Sequence, residues 1–289
     1  MSELVMEVPA AIPLDTRGQM RKTRRGKIKI GARNRSGFAI KLTASVLMGL
    51  TVCGFLTFNY QNIHIGEAAL STLGTLRAMF LQPHLTYNTL GGSLWQLLIA
   101  FSLGALSTVF GAIIAVFGAL LCAKNIANPR VANIMKSFIA FIRAVPTILW
   151  VLIFAASSGL GSVAAVVGLT FHSASYLIKA YAESIEEMDA GAIEALKASG
   201  ASYWQIVFQA VFPASVTYMI AWTFLRFEIN FANAVAVGAA AGAGGIGYDL
   251  YMASGFYFDP HELGFITYII VISVIILEQI ATKIKAKVR

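Results

Sequence analysis

Six apolar runs constrain this chain before any other feature does. They cover about 37–60, 93–122, 134–154, 162–181, 213–237 and 263–281. Each is close to the ~20 residues that a helix needs to cross a bilayer core. In hydrocarbon the backbone N–H and C=O groups must be satisfied within the segment, so such runs are read as helices. The expected fold class is therefore all-α, a polytopic integral membrane protein with six transmembrane helices. Composition agrees. The chain is 57% hydrophobic and 12% charged, about half the ~25% charge of a soluble domain. Pro146 falls inside the third run and is expected to bend it.

Six crossings return both ends to one side. Nine of the 22 Lys and Arg lie at positions 17–35, and four more at 283–289. Lys124, Arg130, Lys136 and Lys197 fall on the same side, and only Arg77 on the other. That asymmetry places both termini in the cytoplasm. A basic tail could also bind nucleic acid, but a span that begins directly after it favours a membrane anchor, with no nucleic-acid partner. Residues 1–36 are read as a basic cytoplasmic tail without a packed fold. Residues 37–92 hold the first transmembrane helix and an extracytoplasmic segment, with an interfacial helix at 68–81. Residues 93–289 form the core. No secretory signal peptide is expected, since no small-residue cleavage site follows the first apolar run. Cys53 and Cys122 lack metal-ligand spacing and are expected to be small buried hydrophobes.

Between the fourth and fifth runs lies a mixed segment, 182–212, that follows the charges into the cytoplasm. It reads "AESIEEMDAGAIEALKASGASYWQIVFQAVF" and leads into Pro213. Good helix formers fill 190–199. Gly200 breaks the helix, and a second amphipathic piece begins at Ser202. Pro213 suits the first turn of the next span, where its missing N–H costs nothing. A plain connection needs only a few residues. About thirty, with apolar residues at helical spacing, point to a docking surface.

Glu194-Ala195, Gly200 six residues after the Glu, and Phe212-Pro213 resemble the EAA motif of the membrane subunits of bacterial ABC importers. Leu196, Ala210 and Phe212 depart from the usual residues, while the spacing of Glu, Gly and Pro is kept. Within that family the chain most resembles the phosphonate-import permeases, over roughly 94–285. The stretches "LTFHSASYLIK", "RFEINFANAVAVG" and "GAGGIGYDL" carry that likeness beside the docking segment. The resemblance implies a type I importer permease in a bacterial plasma (inner) membrane. It implies a coupling helix, with Glu194, Ala195, Gly200 and Pro213, that seats in a cytosolic ATPase. It also implies two such ATPases, a permease homodimer and an extracytoplasmic binding protein. No G-x-x-x-x-G-K-[ST] segment is present to cradle nucleotide phosphates. ATP and Mg are thus expected on the partner ATPases, and no cofactor, metal or catalytic residue on this chain. Phosphonate, phosphite, phosphate or another small solute all remain open as cargo.

Polar residues inside the spans locate a candidate path. Arg226 lies thirteen residues beyond Pro213, deep in the fifth span at 1.5 Å per residue. A charge there is a functional candidate by default. Trp222, Arg226, Asn230, Asn233 and Val237 share one face of that helix. His172, Ser175, Tyr176 and Lys179 form a second stripe on the fourth span. One reading is an anion path lined by Arg226, Asn230, Asn233, His172 and Ser175. The other is interhelical glue. Structural pairing is the expectation for Arg143. Glu228 faces away from Arg226 and needs a partner elsewhere, such as Arg143 or His172. The "GAGGIG" stretch follows a membrane helix rather than a strand, so it is read as close packing and a sharp turn, not a dinucleotide site. His261-Glu262 has no further ligand nearby and is not read as a metal site. A gated channel or secondary carrier is the first rival, opposed by the docking segment and the absence of tandem repeats. An intramembrane enzyme using His172 and Glu228 as acid and base is the second, and no nucleophile or metal constellation supports it.

Overall fold

The computed structural model describes residues 21–22, 28–29, 35–58 and 64–288, with side chains for 37–58 and 64–283. Apart from the antiparallel pair Arg21–Lys22 and Ile28–Lys29, the expectation for the 1–36 tail lies outside the described residues. The chain divides into two units, Met1–Ile65 and Gly66–Arg289. The first contains α1 (Arg35–Thr57). Cys53, expected to be buried, is exposed on it. A single apolar helix presents its hydrophobic surface outward, which suits lipid as well as a protein core does.

The second unit begins with α2 (Ile65–Leu81), α3 (Leu90–Cys122), α4 (Pro129–Ala144), α5 (Thr147–Ser158) and α6 (Ser162–Glu186). It continues with α7 (Ala190–Ala198), α8 (Tyr203–Ile206), a π-helical turn (Val207–Val211), α9 (Phe212–Ala241), α10 (Ile246–Gly255) and α11 (Pro260–Val288). Among the described residues, five helical stretches are long and apolar enough to cross a membrane. The α4–α5 pair makes a sixth if its two bent halves count as one.

That pair carries the bend expected at Pro146, and carries it as a break between two helices. The two helices meet at 89°. A proline disfavours the helical conformation of its predecessor, and Val145 is extended at φ −86° and ψ 125°. The helix therefore stops rather than kinks. The Ile142 carbonyl would have bonded the N–H of residue 146, which proline lacks. The Trp150 indole N–H supplies that donor at 3.0 Å.

Pro213 sits in the first turn of α9, as expected, although α8, the π turn and α9 run on as one stretch from Tyr203 to Ala241. The π turn makes room just ahead of the ring: the Phe212 N–H reaches five residues back to the Val207 carbonyl. Such a bulge lets a proline sit inside a continuous helix.

Helix α6 is the centre of the unit, packed against α3, α5 and α9. Small residues let the backbones close. A Cβ at Gly111 of α3 would lie 2.9 Å from the Ser173 Cβ, and one at Gly104 would lie 3.0 Å from the Phe231 Cα. Gly242 caps α9 in the left-handed region at φ 60°, and α10 folds back onto α9, where a Cβ at Gly247 would overlap the Val235 carbonyl. The glycine-rich stretch is thus a turn and a packing surface. At the same end Glu262, wholly buried, accepts from the N–H groups of Thr86, Tyr87 and Asn88 and from the Asn88 amide. It ties the α2–α3 loop to α11.

Candidate functional site

The 182–212 segment is built from local signals. Asp189 caps α7 by accepting from the Gly191 N–H at 3.0 Å. Gly200, at φ 80°, turns the chain in a conformation that side-chain-bearing residues rarely adopt. Ser202 and Gln205 then form a capping box for α8. Ile193 is buried in an apolar cluster that also holds Leu120, Cys122, Ile185 and Ile206, while Glu194, Ala195 and Gly200 face outward. Pro213 is exposed too, but farther along the long helix than the α7 surface. Between them Trp204, Phe208 and Phe212 stack in a row, with ring centroids 6.1 and 5.8 Å apart.

This segment is tied to the membrane helices. The Lys197 Nζ donates to the Asn125 carbonyl at 3.4 Å, and the Asn125 amide to the Ile185 carbonyl at 2.7 Å. One residue on, the Glu186 carboxylate accepts from the Lys124 N–H and pairs with the Lys136 Nζ, both at 2.7 Å.

Inside the bundle, Arg226 is 2% exposed and its neighbours are neutral. Its Nε donates to the Ser173 Oγ at 3.2 Å and its Nη2 to the His172 Nδ1 at 2.8 Å. With that nitrogen accepting, the imidazole carries its proton on Nε2 and stays uncharged beside the guanidinium. The Thr147 hydroxyl lies 3.2 Å from the same nitrogen. Ser173 donates to the Asn230 Oδ1 at 2.9 Å, and the Asn230 amide to the Thr108 Oγ1 at 2.8 Å. Four helices, α3, α5, α6 and α9, thus meet in one chain of hydrogen bonds. Among the described residues no carboxylate pairs with Arg226.

The structure brings together His172, Arg226 and Asn230 from the predicted set. Ser175 is buried but donates to the His172 carbonyl of its own helix at 2.7 Å. Asn233 is half-buried, without a hydrogen bond among the described residues. Ser173, Thr108 and Thr147 were not singled out by the sequence. Each is a small hydroxyl in an apolar run, and only the α3–α6 approach at Gly111 shows that Ser173 faces the arginine.

Tyr176 links this core to a cavity. The Arg226 Cζ lies 4.9 Å from its ring centroid and the Arg143 Cζ 5.4 Å. Arg143, expected to be structurally paired, has no hydrogen bond or ion pair among the described residues. It lines a cavity of about 280 Å³ with Cys122, Lys136, Lys179, Glu183 and Glu186. Glu228 is corrected too: neither Arg143 nor His172 pairs with it. It lies instead beside Phe101, Phe224, Phe227, Leu277 and Ile280, because α9 turns that face toward α3 and α11. No group of three or more metal-ligating side chains occurs among the described residues.

The chain is 35% identical over 171 residues to the phosphate-import permease protein PhnE of Mycolicibacterium smegmatis, covering 59% of this chain and 32% of that one. It is 33% identical over 147 residues to the phosphite transport system permease protein PtxC of Stutzerimonas stutzeri, covering 50% and 52%. The matched region therefore spans about half or less of these relatives' lengths. The fold is that of the inward-facing MetNI methionine ABC transporter, with a TM-score of 0.63 at 21% identity over 71% of this chain and all of that one. The family profile of binding-protein-dependent transport system inner membrane components matches residues 115–282, and the chain belongs to that family.

Proposed function

We propose that this chain is the membrane-spanning permease subunit of an ATP-driven importer that carries a small oxyanion of the phosphonate, phosphite or phosphate class into the cytoplasm. Two copies would enclose the path. Two cytosolic ATPases, which hold the ATP and Mg, would grip the α7 knobs, and an extracytoplasmic protein would deliver the solute. The chain itself performs no bond chemistry. The relatives named for phosphate and phosphite support the cargo class. Both termini and α7 lie on the cytoplasmic side of a bacterial inner membrane, as the charge asymmetry requires.

The observation that carries this reading is Arg226. A cation withdrawn from water costs several kcal/mol unless an opposite charge answers it, and neutral hydroxyl, imidazole and amide groups answer it only in part. An oxyanion arriving beside a planar guanidinium supplies the missing charge and two acceptors at once. Alternating access then moves the anion while the helices around it rearrange.

Gly200→Glu tests the coupling half. A bulky charge at the exposed bend, in a left-handed conformation, should abolish ATPase co-purification and uptake while the permease still inserts. Retained association and uptake would defeat the docking assignment. Orientation is checked in a variant lacking the native cysteines. Cys at Ser199 should be shielded from an impermeant thiol reagent in intact cells, and Cys at Ser254 labelled.

A further inference from the structure

We infer that the cavity at the α7 end of α6 is a second oxyanion site, headed by Arg143, through which the carried anion leaves the buried guanidinium. The inference rests on the importer reading. Three cations line this cavity, Lys136, Arg143 and Lys179, against two carboxylates, Glu183 and Glu186. The carboxylates are already engaged, Glu186 with Lys136 at 2.7 Å and Glu183 with Lys179 at 3.3 Å. Arg143 is left over. Its five N–H donors are unbonded among the described residues, and its position is set by the Tyr176 ring, the same ring that Arg226 approaches. A cavity of about 280 Å³ is large beside the ~30 Å³ share of one water, so a hydrated phosphate-sized anion fits.

Lys136 is the second contact. Its partner Glu186 also accepts the Lys124 N–H at 2.7 Å. Lys136 can therefore swing to an incoming anion without leaving Glu186 bare. The exchange loosens the turn that Lys197 of α7 touches at the Asn125 carbonyl. Arrival of the anion and the position of the docking helix are thereby joined through one carboxylate.

The test uses the full chain in phosphatidylcholine nanodiscs, inorganic phosphate as the probe, and phosphorus NMR line broadening as the readout. Arg143→Gln should weaken phosphate binding at least tenfold, the value of a charge-assisted contact. Glu186→Gln frees Lys136 but keeps an acceptor for Lys124, and should tighten binding, a gain that misfolding cannot mimic. Equal binding by wild type and Arg143→Gln, weaker binding by Glu186→Gln, or no broadening in wild type would overturn the site. If phosphatidylglycerol in the discs displaces phosphate, the cavity serves a lipid headgroup and the exit role falls. Uptake in cells separates the two readings. Uptake unchanged in Arg143→Gln but lost in Arg226→Ala removes the exit role and spares the importer. Phosphate bound at Arg143, with no uptake of any of these oxyanions by wild type, removes the importer reading alone.

Discussion

Glu262 and Arg226 are both sealed from solvent, at 0% and 2% exposure, yet their surroundings treat the two charges differently. Around Glu262, three backbone N–H groups and one side-chain amide converge on the carboxylate. Nothing more is needed there. Around Arg226, a serine, a histidine and the face of a tyrosine ring satisfy part of a guanidinium that has five donors. The first charge is a completed clamp between a loop and a helix. The second keeps donor capacity and net charge in reserve, as expected of a group that meets a transient ligand.

Breaking the clamp should have the largest effect. Glu262→Ala strips four donors of their acceptor and should cost about 3 kcal/mol or more of stability, with Glu262→Gln recovering part of it. Survival of monodisperse protein on size exclusion after mild heating reads the difference. An Ala variant as robust as wild type would remove the contrast with Arg226.

A pH titration sharpens the same corner. Burial first, and the nearby Glu262 charge second, raise the Asp249 pKa from 3.8 to about 6. Its Oδ2 has no hydrogen-bond partner among the described residues. Because the folded pKa exceeds the unfolded one, the folded state holds the extra proton. Stability from this group is complete below about pH 4 and lost as pH rises through about 6. Asp249→Asn should flatten the stability profile between those values, and an unchanged profile would show that Asp249 does not titrate there. Asp259, close by, behaves oppositely. Burial acts to raise its pKa, but hydrogen bonds from Thr86, Glu262 and His261 outweigh that and lower it.

The smallest expected effect is at the α4–α5 break. Trp150→Phe leaves the Ile142 carbonyl without its substitute donor and should cost about 1 kcal/mol, read by the same heating assay. No change would mean that lipid-exposed packing, not the indole, holds the 89° corner.

The apolar runs were legible because hydrocarbon leaves the backbone no alternative to helix, and Arg226 and Asn230 were legible because a four-residue step keeps them on one face. Pro146 marked a bend, but whether a proline bends or severs a span depends on what bonds the freed carbonyl, and Trp150 lies eight residues from Ile142. Glu262 showed nothing in sequence, since its donors lie 174 to 176 residues away. Ser173, adjacent to the singled-out His172, was hidden because rotation of α6 is set by where glycines let α3 come close. The partner sought for Glu228 was not found for the same reason: periodicity tells which residues share a face, not which helix that face meets.

The central claim is that Arg226 is held for a ligand rather than for the fold. Its most direct test measures detergent-solubilised complex yield beside oxyanion uptake in Arg226→Ala and Arg226→Lys. The account predicts near-normal yield with uptake abolished in the Ala variant and poorly restored in the Lys variant, which keeps charge but loses the planar fork. Collapsed yield in Arg226→Ala, or normal uptake in either variant, would contradict it.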